Sequence, residues 1–133
     1  MVTVNTSGKR KTAVARAVVK KGTGNITINK IPLPIYGSEL ARLMIEEPLG
    51  LVPEKVEQVD IAVNVKGGGV MGQATATRTA VAKGLVEYYT DDEELEGIFR
   101  TYDRTLIVND DRRKLPKKPL GPGARAKKQK SYR

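Results

Sequence analysis

The sequence predicts an α+β domain in which helices pack on a small β-sheet. Apolar residues alternate with a period of two in TAVARAVVKKGTGNITINK and in VDIAVNVK, which is typical of strands. Between and after these segments, SELARLMIEEPLGL and MGQATATRTAVAKGLVEYY are long enough for helices. The length of 133 residues fits one domain with a modest core.

The first predicted element is a β-hairpin. Alanine at every second position from Ala13 to Ala17 indicates one strand, and Ile26 and Ile28 continue the alternation in a second strand. The glycines of KKGTGN between them are typical of a turn.

The first predicted helix covers SELARLMIEEPLGL. The two prolines of IPLPIYG exclude an α-helix immediately before it. Ser38 is suited to the N-cap, and Pro48 is expected to end or bend the helix. The apolar stripe of this helix is expected to contain Leu40, Leu43, Met44 and Leu51.

The clearest strand is VDIAVNVK, in which the apolar residues at 59, 61, 63 and 65 face one way. The GGG at 67–69 ends this strand. In the long helix that follows, Met71, Ala74, Val81, Leu85 and Tyr88 are expected to share a face.

Two short elements complete the predicted body. TDDEELEGIFRTYD indicates a helix whose N-terminus fits a capping box of Thr90 and Glu93, and RTLIVND indicates a last strand. Residues 1–111 are therefore assigned to a globular body, and residues 112–133 to an extended basic tail.

Charge is strongly segregated along the chain, whose net charge is +9. Residues 112–133 contain ten Lys and Arg and no acid, and residues 1–21 contain six and no acid, whereas residues 22–111 contain eight basic and all 15 acidic residues. Basic ends on either side of an acidic middle indicate arms that bind a polyanion. The tail could extend roughly 70 Å at about 3.3 Å per residue. Alone it is expected to be disordered, because it has little apolar surface to bury.

Composition also excludes several classes of protein. Without cysteine there is no disulfide framework, and without histidine the commonest general base and transition-metal ligand are missing. No cofactor is expected. No apolar run approaches the roughly 18 residues of a membrane span, and the start has no secretory signal, so a soluble intracellular protein is expected.

Four motifs leave alternatives open. KGGGVMGQATATR follows a strand and precedes a helix, so it suits either a tight turn, with or without RNA-phosphate contact, or a nucleotide site with Gly67, Gly68, Gly69 and Gly72. The acidic run 91–94 suits a solvated helix N-terminus better than a cation site. Asp110 and Asp111 beside Arg112 and Arg113 favour ion pairing at a chain turn over acid–base chemistry. Lys9, Arg10 and Lys11 before a strand favour a phosphate clamp over a solvated strand end.

Four motifs in order, GKRKTAVARAVVKKGTGNITIN, VDIAVNVKGGGVMGQATATR, YDRTLIVNDDRR and GPGARAKKQKSYR, resemble the family of the universal small-subunit ribosomal protein number nine, archaeal and eukaryotic type. The resemblance covers about Gly8 to Arg133. It implies a body similar to the second domain of ribosomal protein number five, with a left-handed βαβ crossover. It implies a cytoplasmic structural role in the head of the small ribosomal subunit, with ribosomal RNA and neighbouring ribosomal proteins as partners. It also implies that the tail reaches the anticodon stem-loop of the peptidyl-site tRNA.

The resemblance implies two groups of contact residues. Those expected to bind ribosomal RNA are Lys9, Arg10, Lys11, Lys66, Gly67, Gly68, Gly69, Arg78, Arg112, Arg113, Lys117, Lys118, Arg125, Lys127 and Lys128. Those expected to contact tRNA are Lys130, Ser131, Tyr132 and Arg133. Relatives of this type usually have Arg and Tyr at the positions of Lys127 and Lys128, so one bidentate donor and one stacking ring are absent here.

Overall fold

The structure is a computed structural model that describes residues 3–90, 92–113, 115, 116 and 119. It has an α+β fold, as predicted, with a five-stranded sheet and packed helices. The strands are β1 (Val4–Arg10), β2 (Ala13–Lys21), β3 (Ile26–Ile28), β4 (Ile31–Pro32) and β5 (Val59–Lys66). The helices are α1 (Glu39–Leu51), α2 (Pro53–Val56), α3 (Val70–Tyr88) and α4 (Glu93–Tyr102), with 3₁₀ turns at Leu33–Ile35 and Arg104–Leu106. Most of the predicted tail at 112–133 lies outside the described residues.

The sheet order is β1-β2-β5-β3-β4, which overturns the predicted hairpin between β2 and β3. β5 lies between these two strands, antiparallel to β2 and parallel to β3. The loop after β2 is held by β5 instead, because Oδ1 of Asp60 accepts hydrogen bonds from the backbone N–H groups of Thr23 and Asn25, each at 3.0 Å. The true hairpin joins β1 and β2 through Lys11 and Thr12.

Helix α3 packs across one face of β1 and β2, and the core lies between them. The predicted face of β5 is confirmed, since its residues at 59, 61, 63 and 65 are all buried. Ala74, Val81 and Leu85 of α3 are buried as predicted, whereas Met71 is exposed at the start of the helix. The helix approaches the sheet very closely, because a Cβ at Gly8 would lie 2.2 Å from the carbonyl oxygen of Ala76.

Helix α1 begins as predicted, with the Ser38 hydroxyl accepting from the Ala41 N–H at 3.3 Å. The predicted stripe is half right, since Leu40 and Leu43 are 59% and 51% exposed, whereas Met44 and Leu51 are partly buried against the core. The helix also continues past Pro48 to Leu51. A second apolar set has equally helical spacing, so periodicity alone did not identify the buried face. The structure buries Ala41, Ile45, Pro48 and Leu49.

The end of the body differs from the prediction in two ways. Asp92, not Thr90, caps α4, because its Oδ1 accepts from the Glu94 N–H at 3.0 Å. RTLIVND is not a strand: Asp103 caps a 3₁₀ turn by accepting from the Thr105 N–H at 3.0 Å, and the turn buries Leu106. Only Asp110 pairs with the sheet, in a single parallel bridge to Arg10.

Candidate nucleic-acid interface

Two turns predicted from distant parts of the sequence lie against each other. Lys11, in the β1–β2 turn, has φ of 55°, and Gly67 and Gly68, after β5, have φ of 82° and 66°. A Cβ at Gly67 would lie 2.5 Å from the carbonyl oxygen of Thr12. Glycine is therefore required at this position both by the left-handed backbone and by the close approach of the two turns.

A cleft of about 420 Å³ opens beside these turns. One wall is formed by the β1–β2 turn with Arg10 and Lys11, and the other by the first turn of α3. Gly69 is the N-cap of α3 and contributes no side-chain cap, so the helix N-terminus adds a partial positive charge to the cleft. The lining residues include no carboxylate. Such a cleft favours an anion such as a phosphate.

The root of the tail lies beside the same cleft. The Nη1 atom of Arg10 donates a hydrogen bond to the carbonyl oxygen of Arg112 at 2.8 Å, and its Nε atom lies 3.8 Å from Oδ2 of Asp110. The backbone N–H of Lys9 donates to Oδ1 of Asn109 at 3.2 Å. The structure therefore places the beginning of the tail next to the basic turn.

The predicted ion pairing at the body–tail junction is confirmed for Asp110. Its Oδ2 atom accepts from Nη2 of Arg112 at 2.6 Å. Hydrogen bonds from the Arg112 side chain and backbone, with the nearby charge of Arg10, hold the pKa of Asp110 far below its usual range. The same contact raises the pKa of Arg112. The Arg112 side chain is still 81% exposed, so it can meet a phosphate at its outer edge.

Arg78 lies apart from this cluster, in the interior. Its side chain is 7% exposed, and Nη2 lies 2.7 Å from Oε2 of Glu47 and 3.0 Å from Oδ2 of Asp103. Nη1 donates to the Thr105 hydroxyl at 3.2 Å. This guanidinium joins α1, α3 and the segment after α4. We therefore leave Arg78 out of the surface that we propose for RNA.

The other predicted contact residues fall into two sets. Lys9, Lys11, Lys66 and Arg113 are exposed near the ends of β1 and β5 and at the root of the tail. The rest lie outside the described residues, namely Lys117, Lys118, Arg125, Lys127, Lys128, Lys130, Ser131, Tyr132 and Arg133.

Sequence reasoning missed the anchoring role of Arg10 and Asn109. Arg10 was assigned to RNA, but its side chain is 19% exposed and bonded to the tail root. Asn109 accepts from the Lys9 N–H and, at 3.4 Å, from Nζ of Lys83 on α3. No local signal identifies these contacts, because the partners are between 26 and 102 positions apart in the sequence.

The acidic run at the start of α4 is already engaged in part. Asp92 caps the helix and forms an ion pair with Lys55, while Asp91 lies outside the described residues. Within the described ranges, no three His, Cys, Asp or Glu side chains come together as a metal site would require. Over the same ranges, every helix is too short or too polar to cross a bilayer.

The sequence is similar to known proteins over nearly its whole length. Residues 8–133 match the family model described as ribosomal protein S9/S16. The small ribosomal subunit protein uS9 of Thermoplasma volcanium is 64% identical over 130 residues, which is 98% of this chain and 98% of that protein. The protein of the same name from Thermoplasma acidophilum is 62% identical over 96% of this chain and 98% of its own length. That from Halobacterium salinarum is 54% identical over 100% of both.

Proposed function

The chain belongs to the ribosomal protein S9/S16 family, in its archaeal type, and we propose that contacts of its basic turn and its tail with ribosomal RNA hold it in the ribosome. It is a structural constituent of the small ribosomal subunit in the cytoplasm. The family is structural and non-enzymatic, so the nucleotide-binding alternative for the glycine turn is dropped.

One observation carries this proposal: three basic or phosphate-suited segments converge at one end of the body. The turn containing Lys11, the glycine turn at 67–69 and the exposed Arg112 border the same region. The acidic residues at the start of α4 do not line the cleft. An RNA backbone at the basic end would meet positive charge from both the body and the tail, and would release counterions as it binds.

The glycine turn supports phosphate contact in a second way. Gly69 has open space around the position that a Cβ would occupy, and it lies at the positive N-terminus of α3. A phosphate can therefore approach the backbone N–H groups there without displacing protein atoms. Lys11 and Lys66 are placed to add direct charge.

We propose further that the tail passes through ribosomal RNA and that residues 130–133 contact the anticodon stem-loop of the peptidyl-site tRNA. Ten cations with no carboxylate between residues 112 and 133 support this path, as does Tyr132, which can stack on a base. We also propose that the body is similar to the second domain of ribosomal protein number five, with a left-handed crossover between the parallel strands β3 and β5.

Co-sedimentation in high salt tests the proposed function. Tagged protein should remain with small subunits through a sucrose gradient at a salt concentration that removes loosely bound RNA-binding proteins. A protein that acts as a free RNA chaperone would instead stay at the top of the gradient. Recovery only at the top would overturn the proposal.

A further inference from the structure

Among the described residues, one face of the sheet has no helix packed on it, and most of its residues, apart from Lys9 and Lys66, have no part in the basic turn and tail described above. Helices cover the face that holds Thr6 and Gly8 of β1 and the buried alanines of β2. Along β1, β2 and β5, every second residue points the other way, toward the uncovered side. We call this uncovered side the open face.

The register of the strands defines rows across the open face. Ser7 of β1 is opposite Arg16 of β2, which is opposite Asn64 of β5. One row further, Lys9, Val14 and Lys66 are aligned in the same way. Adjacent strands are about 4.8 Å apart, and rows are about 6.7 Å apart, so these side chains form a compact grid. The row on the other side of Arg16 consists of Asn5, Val18 and Ala62.

The charge of the open face contrasts with that of the acidic middle of the chain, residues 22–111. It carries four exposed cations, Lys9, Arg16, Lys20 and Lys66, and one carboxylate, Asp60. The carboxylate lies in the last row, opposite Lys20, and is engaged by two backbone N–H groups. Those hydrogen bonds lower the pKa of Asp60, and the one from the Asn25 N–H has a larger effect than the one from Thr23. The end of the face around Arg16 is therefore uniformly positive.

The side chains of the open face suit the sugars and phosphates of an RNA better than its bases. The strands that form it contain no aromatic residue, so base stacking is not available. Amides and a hydroxyl at Asn5, Ser7 and Asn64 suit ribose 2′-hydroxyls, and the cations suit phosphates. Val14 and Val18 are half-exposed and offer apolar contact to sugars. An uncovered antiparallel sheet often only faces solvent, but such a face would not need this excess of cations.

We propose that the open face, centred on Arg16, is a second binding surface for the sugar–phosphate backbone of ribosomal RNA. The proposal rests on the proposed function, because it assigns to the same ligand a surface formed by residues outside the turn and the tail. It adds Asn5, Ser7, Arg16, Lys20 and Asn64 to the residues that contact RNA.

Cross-linking tests which molecule covers this face. The chain has no cysteine, so Ser7→Cys on the open face and Thr101→Cys on the exposed side of α4 each provide one attachment point for a photo-cross-linker. Both variants are assembled into small subunits and irradiated. Cross-links from position 7 should go to ribosomal RNA, at several times the yield from position 101. Cross-links mainly to another protein, or no excess over position 101, would overturn the proposal.

A binding experiment distinguishes this proposal from the proposed function. Arg16→Gln with Lys20→Gln removes two open-face charges, and Lys21→Gln with Arg100→Gln removes two exposed charges elsewhere. Affinity for a small-subunit ribosomal RNA transcript is measured by filter binding at several salt concentrations. The open-face pair should weaken binding about tenfold and reduce the salt slope by about 1–2, since each duplex phosphate contact contributes about 0.9. The control pair should change affinity less than about threefold.

Failure of the open-face inference and failure of the proposed function give different results in this experiment. If the unchanged protein binds the transcript but the two pairs behave alike, the open face is not a binding surface and the proposed function stands. If the unchanged protein fails to bind the transcript at any salt, the proposed function and this inference both fail. The four substituted side chains are exposed, and equal melting temperatures verify that each variant is folded.

Discussion

Arg10, at the end of β1, and Asp110, at the root of the tail, are joined by a parallel backbone bridge and an ion pair of 3.8 Å. They are 100 positions apart in the sequence, and their pairing determines where the tail leaves the body. Because Arg10 also borders the basic cleft, Arg112, the first cation of the tail, lies next to the cations of the body. The body therefore fixes the start of the tail next to its own basic turn.

Asp110→Asn should loosen this junction. The substitution removes the charge that Arg10 and Arg112 share, so hydrogen exchange of the amides from Asn109 to Arg112 should increase several-fold. Asp111→Asn is the matched control, because Asp111 is exposed and makes no side-chain hydrogen bond to a described residue. Equal exchange in the two variants would show that the Asp110 carboxylate does not hold the tail root.

The pH dependence of this junction follows from the lowered pKa of Asp110. A carboxylate whose folded pKa is depressed stabilises the folded state above its unfolded pKa, about 3.9, and this contribution is lost as pH falls through the folded pKa. Exchange at the junction should therefore be unaffected by the titration of Asp110 between pH 5 and 8, after correction for intrinsic rates. A transition near pH 6 would mean that another group controls the contact.

Arg78→Ala should destabilise the free protein. The substitution leaves Glu47 and Asp103 facing each other without their shared cation, and we expect a loss of about 2–4 kcal/mol in the free energy of unfolding. Arg100→Ala is the control, since it breaks an exposed ion pair with Glu96 and should lower the free energy of unfolding by no more than about 0.5 kcal/mol. Urea denaturation measures both. If Arg78→Ala leaves stability unchanged but weakens RNA binding, Arg78 is an RNA contact after all.

Gly68→Ala should destabilise the protein more than Gly69→Ala. Gly68 has a φ of 66°, and its Cβ would lie 3.1 Å from that of Ala13, so alanine should cost about 1–2 kcal/mol. Gly69 has a φ of −98° and free space, so alanine should cost only about 0.5 kcal/mol, the penalty of replacing glycine by alanine at an N-cap. Gly69→Val should reduce incorporation into subunits with little effect on the melting temperature, because the added atoms occupy the proposed phosphate position. Normal incorporation would contradict phosphate contact at this turn.

Deletion of residues 131–133 should leave assembly nearly intact, because the cations of the body and the rest of the tail remain. The expected defect is a modest loss of tRNA affinity at the peptidyl site, since ribosomal RNA and the message also hold the tRNA. Tyr132 would contribute about 1–3 kcal/mol if it stacks on a base. Arg133→Lys retains the charge but loses bidentate geometry, so a partial defect is expected. The measurement is equilibrium binding of tRNA to the assembled subunits at two salt concentrations. If the variant without residues 131–133 binds tRNA as tightly as the unchanged protein at both, this contact is excluded.

The elements predicted correctly are those whose own sequence contains enough signal. β5 alternates without interruption, and α3 has apolar residues at helical spacing over its whole length, so neither depends on a partner for recognition. β1 was missed because VNTSGKR has a single apolar residue at its start. The hairpin was assigned to the wrong partner because β5, which separates β2 from β3, follows β3 by about thirty positions.

In the candidate site too, the sequence predicted the residues with a local pattern but not the contacts that depend on the fold. The cations at 9–11 and the glycines at 67–69 were identified from the sequence, but their contact depends on the pairing of β2 with β5. Arg78 has no local feature that distinguishes a buried arginine from a surface one, since its partners lie on α1 and after α4. Arg16 was read only as one member of a strand, because the open face exists only once the helices cover the other side of the sheet.

The most direct test of the central claim is the salt dependence of binding to small-subunit ribosomal RNA, measured for the full chain and for a chain lacking residues 114–133. The shortened chain keeps Arg112 and the junction with Arg10 but loses eight cations. We predict a steep slope for the full chain, a slope shallower by several units for the shortened one, and residual binding that Lys11→Gln weakens further. Identical slopes and affinities for the two chains would contradict the account, because the tail cations would then make no contact with phosphates.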